Sequence, residues 1–191
     1  MSAVVCHPHP LYGGTLHNKV VYQVAKTLHR LGLSVLRFNF RGAGMSEGKH
    51  DDGRGERDDV RAAIDFLAEA FPGAPILLAG FSFGASVGLR VGCSEARVAE
   101  LVGLGLPADN SDLTFLATCG KPKLFVQGGQ DQYGSLENVR ALMEKLPEPK
   151  RLVIVENADH FFEGKLDQVN GAVSEWMNER HPELESARGA A

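Results

Sequence analysis

The sequence has no apolar run long enough to cross a bilayer. Its longest, such as Ile76–Ala79 and Leu152–Val155, are only of strand length, so a membrane-spanning helix is not expected. It also lacks any Lys/Arg cluster, and its net charge of −4 is mild, which argues against a nucleic-acid or anionic-membrane surface. Cysteines are scarce: Cys6, Cys93 and Cys119 are odd in number and form no C-x-x-C pair. Three buried or incidental thiols in a reducing, cytoplasmic setting are therefore expected. Residues 1–10 carry no basic start, no long apolar stretch and no cleavage site, so no secretory signal is expected. There is no internal repeat and no low-complexity segment.

Two other absences bear on cofactors. His7, His9 and His17 could suggest a metal cluster, but prolines interrupt the first two and no carboxylate or cysteine has ligand spacing to them. Arg37–Gly44 follows a strand pattern and could suggest a dinucleotide loop. However, Glu47 stands where the third glycine should be, and no helix pattern opens there. No metal and no cofactor is expected, and Arg41 is expected to pair with the acidic stretch Glu56–Asp59.

What is present is regular alternation. Strand patterns occur at about Ala3–Cys6, Ser34–Phe40, Pro75–Gly80, Leu101–Leu106, Lys123–Gln127 and Arg151–Val155. Between them lie helical stripes: Val20, Val21, Val24, Leu28 and Leu31; Val60, Ala63, Ile64 and Leu67; Val139, Leu142, Met143 and Leu146; and Leu166, Val169, Val173 and Trp176. Such alternation predicts an α/β fold, a mostly parallel sheet of about six strands with helices on both faces. Residues 1–182 are read as one domain and 183–191 as a small, polar, fraying tail.

The richest segment is Ile76–Ala85, in which a buried strand runs directly into Gly80-Phe81-Ser82-Phe83-Gly84 and a helix rich in small residues. In a G-x-S-x-G turn between strand and helix, the serine sits in a strained conformation and its neighbours must be small. A second match, Gly44-Met45-Ser46-Glu47-Gly48, lies beyond its strand with no helix after it, so Ser46 has no such turn. Ser82 is the candidate nucleophile, with the Phe83 amide aimed at the same point near the helix N-terminus.

A serine needs a base to take its proton, and in this arrangement the chain order is Ser, acid, His. Only His160 and His181 follow Ser82, and His181 lies beyond the last helix pattern. His160 stands just after the last strand, at its carboxyl end, and is the candidate base. Asp131, in the glycine-bearing turn after the strand Lys123–Gln127, is the leading acid. Asp109 is its main rival, with Asp112 behind it, while Asp159 is too close along the chain to orient the ring. The second oxyanion donor should come from the loop His7–Gly14. Prolines cannot donate, so Leu11 is first choice, followed by His9 and Tyr12.

Together, HPHPLYGG, RFNFRGAGMSEG, GFSFGA, the Asp131 turn and ADHFF resemble a bacterial group of lidless α/β-hydrolases related to dienelactone hydrolases and carboxylesterases. The resemblance spans roughly residues 3–177 and implies that Ser82, Asp131 and His160 occupy triad positions. Dienelactone hydrolases use a cysteine nucleophile where Ser82 stands here, so their substrate does not carry over. In that group a short hairpin usually precedes the HPHP strand, whereas Met1 stands two residues before it here.

The fold usually inserts a lid after the strand that is read here to end at Leu106. Only Pro107–Lys121 separates that strand from the next, too little for a helical cap. An open site for a small ester is expected, with Tyr12, Phe81, Phe83, Phe115, Tyr133 and Phe161 as candidate lining residues. The expected activity is carboxylesterase-like hydrolysis through an acyl-enzyme. A thioesterase or a dienelactone-like lactonase would use the same machinery, and a non-catalytic binding module is the alternative from another class.

Overall fold

The computed structural model describes residues 1–186. Its strands are β1 (Ser2–Cys6), β2 (Ser34–Arg37), β3 (Ile76–Phe81), β4 (Val98–Leu104), β5 (Lys123–Gly128) and β6 (Lys150–Val155). They form one sheet in the order β2-β1-β3-β4-β5-β6, and all five pairings are parallel. The helices are α1 (Lys19–Arg30), α2 (Gly55–Ala70), α3 (Phe83–Ser94), α4 (Leu136–Lys145), α5 (Leu166–Arg180) and the single turn α6 (Glu183–Ser186).

Strand alternation divides the core in two. Ala3, Val5, Leu77, Ala79, Val102, Leu124 and Val126 face α1 and α5. Val4, Cys6, Ile76, Leu78, Leu101 and Phe125 face α2 and α3 on the other side. The central strands β1, β3 and β5 are buried along their whole length, which is why they read as continuous apolar runs.

Helix starts follow local chemistry where the sequence supplies it. Asn18 caps α1 by accepting from the Val20 and Val21 amides at 3.0 and 3.3 Å. At α2 the N-cap residue, Arg54, makes no such side-chain bond. Asp51 takes that role from outside the helix, its Oδ2 accepting from the Gly55 amide at 3.0 Å. Burial of Val60, Ile64 and Leu67 adds roughly 1.5–3 kcal/mol each.

The structure departs from the sequence reading at four places. Strand β4 runs Val98–Leu104 in place of Leu101–Leu106. Strand β2 stops at Arg37, not Phe40, because the backbone beyond it bonds to side chains in place of the ladder: Asn39 O accepts from Ser46 Oγ and Phe40 N donates to His7 Nε2. Of the tail expected to fray, Glu183–Ser186 forms α6, and residues 187–191 lie outside the described residues. Three free thiols were expected, but Cys93 and Cys119 are joined in a disulfide and only Cys6 is free. The end of α3 and the short 3-10 helix Thr114–Thr118 bring these two residues to a Cα separation of 5.3 Å, which suits a bridge. No sequence spacing signalled that approach. Among the described residues, no helix is long and apolar enough to cross a membrane.

Candidate active site

The sharp turn between β3 and α3 is where sequence and geometry meet. Ser82 has φ 55° and ψ −120°, a backbone state that costs a non-glycine residue about 1–3 kcal/mol. The turn is held by Ser82 N donating to Leu104 O at 2.9 Å and Ala85 N donating to Ser82 O at 2.9 Å. Its flanks must be small: a Cβ on Gly80 would overlap the Gly84 carbonyl, and one on Gly84 would overlap the carbonyls of Cys6 and His7. Ser82 thus stands above the carboxyl edge of the sheet at the N-terminus of α3.

Two other strand ends reach the same point. His160 follows β6, and its Nε2 lies 2.9 Å from Ser82 Oγ. Asp131 follows β5, and its Oδ2 lies 2.8 Å from His160 Nδ1. The Asp131 side chain is fully buried and that of His160 is 4 % exposed. Asp131 Oδ2 also accepts from Gln127 Nε2 at 2.8 Å, while Oδ1 accepts from the Tyr133 and Gly134 amides at 2.8 and 3.1 Å. Three donors besides His160 converge on it, and an ionised carboxylate can only accept. It therefore fixes the proton of His160 on Nδ1 and leaves the Nε2 lone pair facing the serine hydroxyl.

The rival acids are engaged elsewhere. Asp109 accepts from the Ser135 amide and hydroxyl and from Asn138 Nδ2, which together hold its carboxyl below the usual range, the Asn138 bond most of all. It secures the start of α4. Asp112 is tied to Thr114 and to Arg90, which hold its carboxyl down at about 2. Asp159 accepts from the Phe161 and Glu163 amides. His181 is bonded to Glu100 and Glu183, and Ser46 Oγ donates to Asn39 O outside the cleft. Arg41 forms the expected ion pair, with Asp59 at 2.8 Å. His7 is buried between Phe40 N, which donates to its Nε2 at 2.9 Å, and Pro8 O, which accepts from Nδ1 at 2.7 Å. Burial pushes its pKa down, against the opposing pull of the Pro8 carbonyl. His17 is exposed.

Above Ser82 lies an open cleft of about 900 Å³. Tyr12, Phe83, Tyr133 and Phe161 line it together with His160. Phe81 does not: it is fully buried and packs beneath His160, with ring centroids 5.1 Å apart. As the last residue of β3 its side chain points away from the cleft into the α1/α5 side of the core. Nor is Leu11 suitably placed. It is 69 % exposed, it is absent from the cleft wall, and its amide donates to His9 Nδ1 at 3.3 Å. The 3-10 turn Pro10–Tyr12 consumes that amide as part of its own cap. The Tyr12 amide is likewise spent on His9 O. The His9 and Phe83 amides have no acceptor among the described residues, and both residues line the cleft beside Ser82.

Sequence reasoning missed Gln127. Buried in β5, its Nε2 reaches Asp131 and Gly134 O, and its Oε1 accepts from the Leu106 amide at 2.7 Å, clamping the acid turn to the end of β4. Its signal was a polar residue closing an otherwise apolar strand. His50, Arg57 and Arg90 in the cleft wall were also missed, because nothing in their local sequence marks them.

A family model described as an alpha/beta hydrolase domain matches residues 7–179. An uncharacterized protein of Rickettsia prowazekii is 37 % identical over 184 residues, covering 92 % of this chain and 77 % of its own. A structure of an α/β serine hydrolase homologue from Coxiella burnetii superposes with a TM-score of 0.87 at 38 % identity, covering 92 % of this chain and 84 % of that one. An α/β serine hydrolase without a lid from Xanthomonas campestris gives a TM-score of 0.87 at 36 % identity, over 93 % of this chain and 81 % of that one.

Proposed function

This chain belongs to the α/β hydrolase domain family, and on that footing we propose that it cleaves small carboxylic esters through an acyl-enzyme, with Ser82 as nucleophile. The observation that carries the reading is the continuous chain Ser82 Oγ–His160 Nε2–His160 Nδ1–Asp131 Oδ2, with links of 2.9 and 2.8 Å. Ser82 attacks the ester carbonyl as His160 Nε2 takes its proton. Asp131 keeps the imidazole in the productive tautomer and stabilises the imidazolium. The amides of Phe83 and His9 serve the oxyanion, with His9 replacing Leu11 because its N–H is the unengaged one in the loop. His160 then returns the proton to the departing alcohol oxygen, and water repeats the sequence to release the acid. Thioesters and lactones present the same carbonyl to the same groups, so they are substrates of the same kind.

The test is Ser82→Ala. Loss of the nucleophile should lower turnover of p-nitrophenyl butyrate on the order of 10⁵-fold, with the circular dichroism spectrum unchanged. A fluorophosphonate should label the wild type at Ser82. Labelling at Ser46, or near-normal turnover by Ser82→Ala, would refute the assignment.

A further inference from the structure

The two ends of the cleft differ in chemistry. At one end His160 is flanked by the rings of Tyr133 and Phe161, with centroids 4.7 and 5.3 Å away. At the other, His9 packs on His50 and Phe83 at 4.6 and 4.7 Å. Arg57, in the first turn of α2, joins the wall of the cleft.

Arg57 is a cation without an assigned partner. Its guanidinium makes no ion pair and no hydrogen bond among the described residues, and its Nε is sealed from solvent with no acceptor. A guanidinium N–H in that position forfeits the hydrogen bond that water would give it, a cost normally offset by a carboxylate. The carboxylates of this wall are committed to other groups. Glu56, fully buried, accepts from the Asp51 and Gly53 amides at 2.9 Å each and lies 2.8 Å from His50 Nδ1. Asp52 is exposed and lies 3.6 Å from His50 Nε2. Arg90, by contrast, is neutralised by Asp112 at 2.9 Å and stacks over Phe115.

The direction of the reaction decides which part of a substrate meets Arg57. The departing alcohol oxygen must face His160 Nε2 to receive its proton, and the carbonyl oxygen must face the His9 and Phe83 amides. The acyl chain is left to run away from His160 within the cleft that Arg57 helps to line. A planar guanidinium with free donors matches a carboxylate in geometry as well as charge.

We infer that Arg57 recognises an anionic acyl chain, so that the substrate is a monoester of a short dicarboxylic acid whose free carboxylate pairs with the terminal Nη groups, the sealed Nε lying out of a ligand's reach. This rests on the esterase reading above. The experiment compares monomethyl glutarate with methyl valerate, which present five-carbon acyl chains differing in the terminal carboxylate, by titrating released acid at constant pH. Wild type should favour the glutarate ester by at least tenfold in kcat/KM. Arg57→Gln should cut the glutarate-to-valerate ratio by about thirtyfold, chiefly through KM, and Arg57→Lys should restore part of it. Thermal melts of both variants check that they fold. If wild type hydrolyses both esters equally and the ratio does not move in either variant, the Arg57 assignment falls while the hydrolase reading stands. Should wild type and an active-site label both fail to show turnover of any ester, the hydrolase reading itself falls.

Discussion

Replacing Asp131 by asparagine tests the site at its most constrained atom. The wild-type carboxylate accepts two bonds on each oxygen: Tyr133 N and Gly134 N on Oδ1, Gln127 Nε2 and His160 Nδ1 on Oδ2. An asparagine has one acceptor oxygen and must choose. The two backbone amides are fixed by the turn, whereas Gln127 and His160 are side chains that can adjust, so the oxygen goes to the turn. The new NH₂ group then faces His160 Nδ1, which can satisfy it only by giving up its proton and becoming an acceptor. The proton moves to Nε2, which now donates toward Ser82 Oγ instead of accepting from it, and the base is lost. A wrong tautomer of this kind lowers turnover by about 10⁴-fold. The NH₂ group also opposes the Gln127 donor in a buried site, so stability should fall by about 1–3 kcal/mol. The assay is kcat on p-nitrophenyl butyrate alongside a thermal melt, with Asp109→Asn as the control. Asp109 braces the start of α4 through Ser135 and Asn138 and should leave turnover within about threefold of wild type, since it does not touch the imidazole. Turnover by Asp131→Asn within tenfold of wild type, or the larger loss in Asp109→Asn, would refute the reasoning.

Three further outcomes are expected. Gly84→Ala should destabilise the protein by about 3 kcal/mol or more in chemical denaturation, because the added methyl meets two backbone carbonyls that cannot step aside; a change under 1 kcal/mol contradicts the packing at the turn. For neutral esters, kcat/KM should peak on short acyl chains near acetate to butyrate. Beyond that, tails lying on an open cleft gain only part of the roughly 0.8 kcal/mol per buried methylene; a steady rise to long chains, or a jump at the substrate's solubility limit, contradicts this. His7 is buried with its pKa pushed below the ordinary 6.5, and protonation would set an Nε2–H against the Phe40 amide. The unfolded chain then takes up the proton first, so the His7 contribution is complete above pH 6.5 and is lost as pH falls below it. The slope of stability against pH between 7 and 5 should therefore be shallower in His7→Gln; equal slopes contradict it.

Much of this was legible from particular residues. The run Ile76–Gly84 carried its own geometry, since a buried strand, two obligatory glycines and a serine leave one way to turn. The order Ser82, Asp131, His160 followed from strand ends, because a parallel sheet delivers every carboxyl terminus to the same edge. Periodicity sufficed to read the helices and the two-sided core, because burial on a sheet face depends on local alternation. What the sequence left open was settled by contacts between residues far apart in the chain. Asp109 and Asp131 look alike as strand-end aspartates. They differ because four donors converge on one, while Ser135 and Asn138 claim the other. Leu11 has no amide to offer because a 3-10 turn uses it, and Phe81 left the cleft because alternation along β3 sends its side chain into the core. The Cys93–Cys119 bridge belongs to the same class, as does Arg57, which has no partner among the described residues. A sequence determines which groups exist and what local shape they favour. Whether a donor finds an acceptor 20 or 80 residues away is decided only when the tertiary fold brings the two within three ångströms or leaves one of them alone.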